Sequence, residues 1–185
     1  MAYEVEMKAW VHDWERLEGW LRERCSFERS FRKEDRYFRA PQRACEDLSE
    51  EPQLFRLRRD DGGACVTFKE KSVLEGMERN LEREFSVNDV AAFLELMDRL
   101  GCRDEFAKVK EGLHFSSGDL TVELVHVREL GDFLEVELVH EEADDEVHAQ
   151  AASRIRTFFS QAGIPPDRIE PRPYMQMLRE ARASS

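Results

Sequence analysis

The chain has 185 residues, of which 41% are hydrophobic and 37% charged, and a formal net charge of -12. That length suits one domain with its own core, spanning 1–185. An acidic surface repels nucleic acid and anionic lipid, so an anionic ligand must be drawn in by a local basic cluster.

Residues 3–11 alternate charged and apolar side chains and predict a strand. A helix follows to Arg24, with Asp13 as its N-cap and Trp14, Leu17 and Leu21 on one face. A second extended segment carries Asp35, Tyr37 and Phe38, and residues 39–53 read as a loop. Asp60-Asp61-Gly62-Gly63 is a hairpin signal between strands at Leu54–Arg59 and Ala64–Lys71. Residues 72–79 read as a turn, and Asn80–Val87 as another strand. A helix over Asn88–Leu100 stops at Gly101. Strands at Phe106–Phe115, Leu120–Val127 and Phe133–His140 precede a long helix, Asp145–Ala162, and a short one at Tyr174–Ala181. The acidic stretch Glu141–Glu146 suits a solvated helix start. This order predicts an α+β fold with a mostly antiparallel sheet.

Cys25, Cys45, Cys65 and Cys102 form no CxxC pair, and the five histidines have no paired spacing. Reduced thiols in a cytoplasmic protein, without a zinc site, are the expectation. No apolar run reaches transmembrane length, and Glu4 and Glu6 argue against a secretory signal. No membrane or nucleic-acid partner is expected.

Alternate residues of a strand share a face. Glu4, Glu6 and Lys8 therefore project together, as do Arg56 and Arg58, then Thr67, Lys69 and Lys71. The same holds for Glu82 and Glu84, for Lys108 and Lys110, for Thr121 and Glu123, and for Glu135 and Glu137. A solvated sheet face accounts for any one of these strands. As a set, the faces are almost wholly Glu, Arg and Lys, with the signs segregated by strand. Curling the sheet into a closed barrel would set basic strands opposite acidic ones, with helices packed outside. Glutamates converging in a partly dehydrated lumen would then have raised pKa values or bind a hard divalent cation, Mg²⁺, Mn²⁺ or Ca²⁺ in preference to zinc and with Mg²⁺ or Mn²⁺ the expected cofactor, while Arg and Lys held an oxyanion. That is equipment for phosphoryl or nucleotidyl transfer.

Glu4-Val5-Glu6-Met7-Lys8 matches the ExExK signature of the CYTH superfamily of triphosphate tunnel enzymes. Asp35-Arg36-Tyr37-Phe38, Arg56-Leu57-Arg58, Thr67-Phe68-Lys69 and Lys108-Val109-Lys110 follow in that family's order. So do Leu130-Gly131-Asp132-Phe133-Leu134-Glu135-Val136-Glu137 and Pro171-Arg172-Pro173-Tyr174. The chain resembles this superfamily over nearly its whole length. The resemblance implies a closed tunnel of eight antiparallel strands with a charged lumen. It makes Glu4, Glu6, Glu135 and Glu137 ligands of one or two divalent ions. It makes Lys8, Arg56, Arg58, Lys69, Lys108 and Lys110 phosphate contacts, and gives Lys8 and Tyr37 a part in activating water. Glu82 and Glu84 are further acidic candidates. Homodimers occur among relatives, and a homodimer is one option here.

Lys110 stands for Arg in the family's K-x-R strand, and two further departures matter. Val125 stands where many members carry Asp, and Glu123, on the same face, is the substitute metal ligand. Asn80 stands where many carry Arg. The expected function is metal-dependent hydrolysis of inorganic, organic or nucleoside triphosphates. The alternatives are a class IV adenylyl cyclase, which makes cyclic AMP and pyrophosphate from ATP, and a polyphosphate- or nucleotide-binding protein without turnover.

Overall fold

A computed structural model of the chain describes residues 3–41, 54–74, 77–140 and 145–183, with side chains described for all of these except 3, 69–74, 77–82 and 145. Most of the expected loop after Arg39 lies outside the described residues, as does Cys45. So do the side chains of Lys69, Lys71, Asn80 and Glu82.

The strands are β1 (Tyr3–Trp10), β2 (Ser26–Arg39), β3 (Leu54–Asp60), β4 (Gly63–Leu74), β5 (Met77–Ser86), β6 (Arg103–Ser117), β7 (Leu120–Val127) and β8 (Gly131–His140). The helices are α1 (Trp14–Arg24), α2 (Val90–Arg99), α3 (Asp145–Gln161) and α4 (Tyr174–Ala183). The sheet has eight strands in the order β1-β8-β7-β6-β2-β3-β4-β5, so the fold is α+β as expected. Closure into a barrel by hydrogen bonds is not seen: among the described residues no pairing joins β1 to β5. The outer edge of β1 instead meets the C-terminal segment, through an Ala9–Ile169 bridge and the Glu170 amide donating to the Lys8 carbonyl at 2.8 Å.

The expected turn at 72–79 is mostly ladder. Ser72 pairs with Arg79, Val73 with Glu78 and Leu74 with Met77, so β4 and β5 form one long hairpin. The helix starts follow capping chemistry. The Asp13 carboxylate accepts from the Arg16 amide at 3.0 Å, and that of Asp89, one residue beyond the expected start, accepts from Ala92 at 2.9 Å. Gly101 ends α2 with φ +75°, a conformation that favours glycine.

The chain divides into two units, Met1–Phe31 with Lys110–Ser185, and Arg32–Val109. In the first unit the apolar faces of β1, β7 and β8 bury Val5, Ala9, Val122, Leu124, Leu134 and Val136 against Leu17 and Leu21 of α1 and Ile155, Phe158 and Phe159 of α3. In the second, Phe38, Leu57 and Val66 pack with Val90, Phe93 and Leu94 at α2. These helices cover the face opposite the charged side chains, because alternation along the strands leaves that face the more apolar one. No helix among the described residues is long and apolar enough to cross a membrane.

Candidate functional site

Two charged clusters form, one in each unit. Residues directly opposite in antiparallel strands share a face. In the first unit Glu6 pairs with Glu137 and Lys8 with Glu135 across β1 and β8. Across β7 and β8, Thr121 pairs with Glu137 and Glu123 with Glu135; His114 of β6 lies opposite Glu123. The register thus gathers Glu4, Glu6, Glu123, Glu135 and Glu137 on one face, with Lys8, Lys110 and His114 among them.

Lys110 Nζ donates to Glu123 Oε2 at 2.9 Å and to Glu135 Oε2 at 2.6 Å. Burial alone would lower its pKa, but the charges of Glu135 and Glu123 outweigh that and hold it above the ordinary lysine value. Glu137 lies at the other pole of the cluster. Burial, then repulsion from Glu4, Glu6 and Glu123, pushes its carboxyl up to about 7. It binds its proton more tightly in the folded chain than in the unfolded one. Its contribution to stability is therefore complete below the ordinary 4.5 and is lost as pH rises through about 7. Melting temperature should fall across that window, and Glu137→Gln should flatten the fall. An unchanged slope in the variant would contradict this account of the cluster.

One end of this face is apolar. Val125 is fully buried between Gly112 and Phe133 in the register. A Cβ on Gly112 would lie 2.1 Å from the Leu124 carbonyl oxygen, so only glycine fits there. The Phe133 ring lies 4.2 Å from Trp10 and 5.0 Å from Tyr174, centroid to centroid, and Lys8 Nζ sits 5.0 Å from the Tyr174 centroid. Tyr174 opens α4. Its segment is fastened by Glu170, which accepts from Trp10 Nε1 at 3.1 Å and from Arg172 Nη2 at 2.6 Å. Burial first, then the charge of Glu135, raises the Tyr174 hydroxyl far above the ordinary tyrosine value. Its proton therefore stays in place.

In the second unit the hub is Asp35, with its side chain 0% exposed. Arg58 forks onto it, Nε to Oδ1 at 2.7 Å and Nη2 to Oδ2 at 2.9 Å, and Lys108 Nζ lies 3.2 Å from Oδ2. Burial would raise the Asp35 pKa, but the Arg58 hydrogen bond and the charges of Lys108, Arg58 and Arg56 hold it well below the usual carboxylate range. Arg56 is engaged differently. Its Nη2 donates to Thr67 Oγ1 at 3.0 Å, and Thr67 Oγ1 in turn donates to Glu84 Oε1 at 2.6 Å. Its Nε is buried with no hydrogen-bond partner among the described residues. Tyr37 stands opposite Arg56 in the register, with its ring centroid 6.0 Å from Lys108 Nζ. Lys69 pairs with Glu82 in the ladder.

The expected acidic residues Glu4, Glu6, Glu123, Glu135 and Glu137 thus gather in the first unit with Lys8 and Lys110. Arg56, Arg58, Lys108, Tyr37 and Glu84 belong to the second. The segregated signs are relieved sideways, by neighbours such as Lys8 with Glu135, and this needs no closure of the sheet. Two residues gain importance that their motifs alone did not assign, Asp35 and Tyr174. The signal for Asp35 is its place as the single acid on a strand face that also carries Arg29, Lys33 and Arg39.

Carboxylate oxygens in a partly dehydrated cluster suit a hard divalent ion, which would relieve the repulsion at Glu137. Among the described residues, no group of three His, Cys, Asp or Glu side chains is arranged to hold one as they stand. Glu123 and Glu135 are turned to Lys110.

Solved structures share this fold. The PH1819 protein of Pyrococcus horikoshii OT3 is 28% identical with a TM-score of 0.75, over 96% of this chain and 99% of that one. A candidate adenylate cyclase from Vibrio parahaemolyticus is 17% identical with a TM-score of 0.72, over 96% of this chain and 98% of that one. HpAC1 from Hippeastrum, a candidate adenylyl cyclase with a dominant triphosphatase activity, is 14% identical with a TM-score of 0.60, over 97% of this chain and 96% of that one. The last two likenesses establish the fold alone. No protein-family model matches the chain, and no curated protein does.

Proposed function

We propose that the protein is a divalent-metal-dependent enzyme acting on triphosphate-containing substrates, with hydrolysis as its reaction. One observation carries the reading. In the first cluster Glu137 is repelled by other carboxylates; in the second Arg56, with Nη2 3.7 Å from Glu84, keeps a buried Nε without a hydrogen-bond partner among the described residues. The first suits a cation and the second an anion, the two kinds of charge that a metal-dependent triphosphate reaction brings together. The triphosphatase activity of HpAC1 supports the choice of reaction.

In this reading Glu4, Glu6 and Glu137, with Glu123 and Glu135, are the residues that would hold Mg²⁺ or Mn²⁺. The ion would neutralise phosphate oxygens and make the terminal phosphorus easier to attack. Arg56 binds a phosphate oxygen through its Nε, and Lys8, Lys69 and Lys108 are the remaining basic candidates, since Asp35 holds Arg58 and Glu123 and Glu135 hold Lys110. Lys8 and Tyr37 are the candidates for orienting water.

A cyclase would use the same parts, and the Vibrio relative favours it as the second reading. The two differ in which group lines up with the attacked phosphorus. The test is to offer tripolyphosphate, thiamine triphosphate and ATP, each with Mg²⁺ or Mn²⁺, and to analyse the products. Orthophosphate release is the expected result. Cyclic AMP with pyrophosphate would replace hydrolysis by cyclisation. Saturable binding without product, over roughly pH 6–10 where lysine and tyrosine change charge, would leave a binding protein.

A further inference from the structure

We infer that Lys110 is a resident countercation for Glu123 and Glu135, filling with its ammonium a position that a second divalent ion would otherwise take. The inference rests on the metal-dependent reading above. Lys110 Nζ bridges two carboxylates that face each other across β7 and β8, at 2.9 and 2.6 Å. All three side chains are at most 10% exposed. The other oxygen of Glu123 has His114 Nδ1 at 3.3 Å, so that carboxylate is engaged from both sides.

An ammonium is a compact point charge with three donors, and here two of them point at carboxylates. To grip a phosphate, Lys110 would have to leave both Glu123 and Glu135 buried and uncompensated, which is strongly unfavourable. Staying in place, it cancels one of their two negative charges, so a divalent ion gains less from this pair than from Glu4, Glu6 and Glu137. Val125 adds no oxygen to this face and is itself fully buried. The cluster therefore has room in charge for one ion, at the Glu137 pole.

The test is calorimetric titration of metal-free protein with Mn²⁺ alone, backed by native mass spectrometry, on the unaltered chain and on Lys110→Met. One Mn²⁺ per unaltered chain is expected. The variant should take up a second ion, or bind Mn²⁺ at least about tenfold more tightly, and its melting temperature should rise with Mn²⁺ by more than that of the unaltered chain. If Lys110→Met folds only when Mn²⁺ is present, the ion has replaced the ammonium, which supports the inference. Two ions bound with Lys110 in place would overturn it whether or not the variant folds, as would equal stoichiometry and affinity in the two proteins. A tripolyphosphate titration without metal adds the converse: a loss of more than about tenfold in Lys110→Met would assign Lys110 to phosphate and overturn the inference. An unaltered chain that binds no Mn²⁺ while Lys110→Met does would sink the metal-dependent reading and leave this inference standing. Absence of binding in both would sink the two together.

Discussion

Asp35→Ala should destabilise the protein by about 3–5 kcal/mol, the usual result of removing one partner from a buried ion pair. The Asp35 side chain is 0% exposed and Lys108 is 8% exposed, so the substitution strands the Lys108 ammonium and the Arg58 guanidinium with little water to replace the carboxylate. Arg58 loses a two-point fork that a single alanine cannot mimic. Urea denaturation should show an earlier midpoint with an unchanged slope. The pH dependence gives an independent sign. Because the folded pKa of Asp35 lies below its unfolded value, its contribution is fully present above the ordinary 3.8 and is lost as pH falls below that. The acid limb of the stability curve should therefore flatten in Asp35→Ala. A loss below about 1 kcal/mol, the range of an exposed pair, would mean that the hub does not organise this unit.

Arg56→Ala should lower affinity for tripolyphosphate by roughly 10–100-fold, equivalent to about 1.5–3 kcal/mol for a hydrogen bond between charged partners. Its effect on folding should be small beside that of Arg58→Ala, because Arg56 gives one hydrogen bond to Thr67 and a 3.7 Å ion pair to the exposed Glu84, while Arg58 is forked onto the buried Asp35. The two arginines of one strand face thus separate into a binding role and a structural role. Calorimetric titration of both variants, with urea midpoints alongside, measures the separation. Unchanged affinity in Arg56→Ala would remove the anion site from the second unit.

The strands were legible wherever charge alternated with apolar residues. Glu4, Glu6 and Lys8, and again Glu135 and Glu137, announced both a strand and its wet face. What alternation cannot give is register. Whether Glu135 meets Lys8 or its neighbour depends on hydrogen-bonded pairing over distance, and a slip of one residue would reverse the face. Segregated signs suggest a closed barrel as the economical compensation, yet register lets neighbouring strands bring opposite signs together without closure.

The β4–β5 hairpin is hidden for a related reason. Residues 72–79 read as a turn in isolation, yet cross-strand pairing carries Ser72, Val73 and Leu74 with Arg79, Glu78 and Met77 as ladder. Asp35 reads in the sequence only as part of a motif, because its meaning comes from Arg58 and Lys108, which are distant along the chain. Val125 was legible as a missing acid. Its place in an apolar end with Gly112 and Phe133 came only from the register.

Phosphorus NMR of tripolyphosphate incubated with the protein and Mg²⁺ reads triphosphate hydrolysis directly. The tripolyphosphate signals should give way to orthophosphate and pyrophosphate, conversion should stop when Mg²⁺ is chelated, and it should slow sharply in Arg56→Ala. Tripolyphosphate that persists unconverted and unbound, with Mg²⁺ present and the protein folded, would contradict the proposed function.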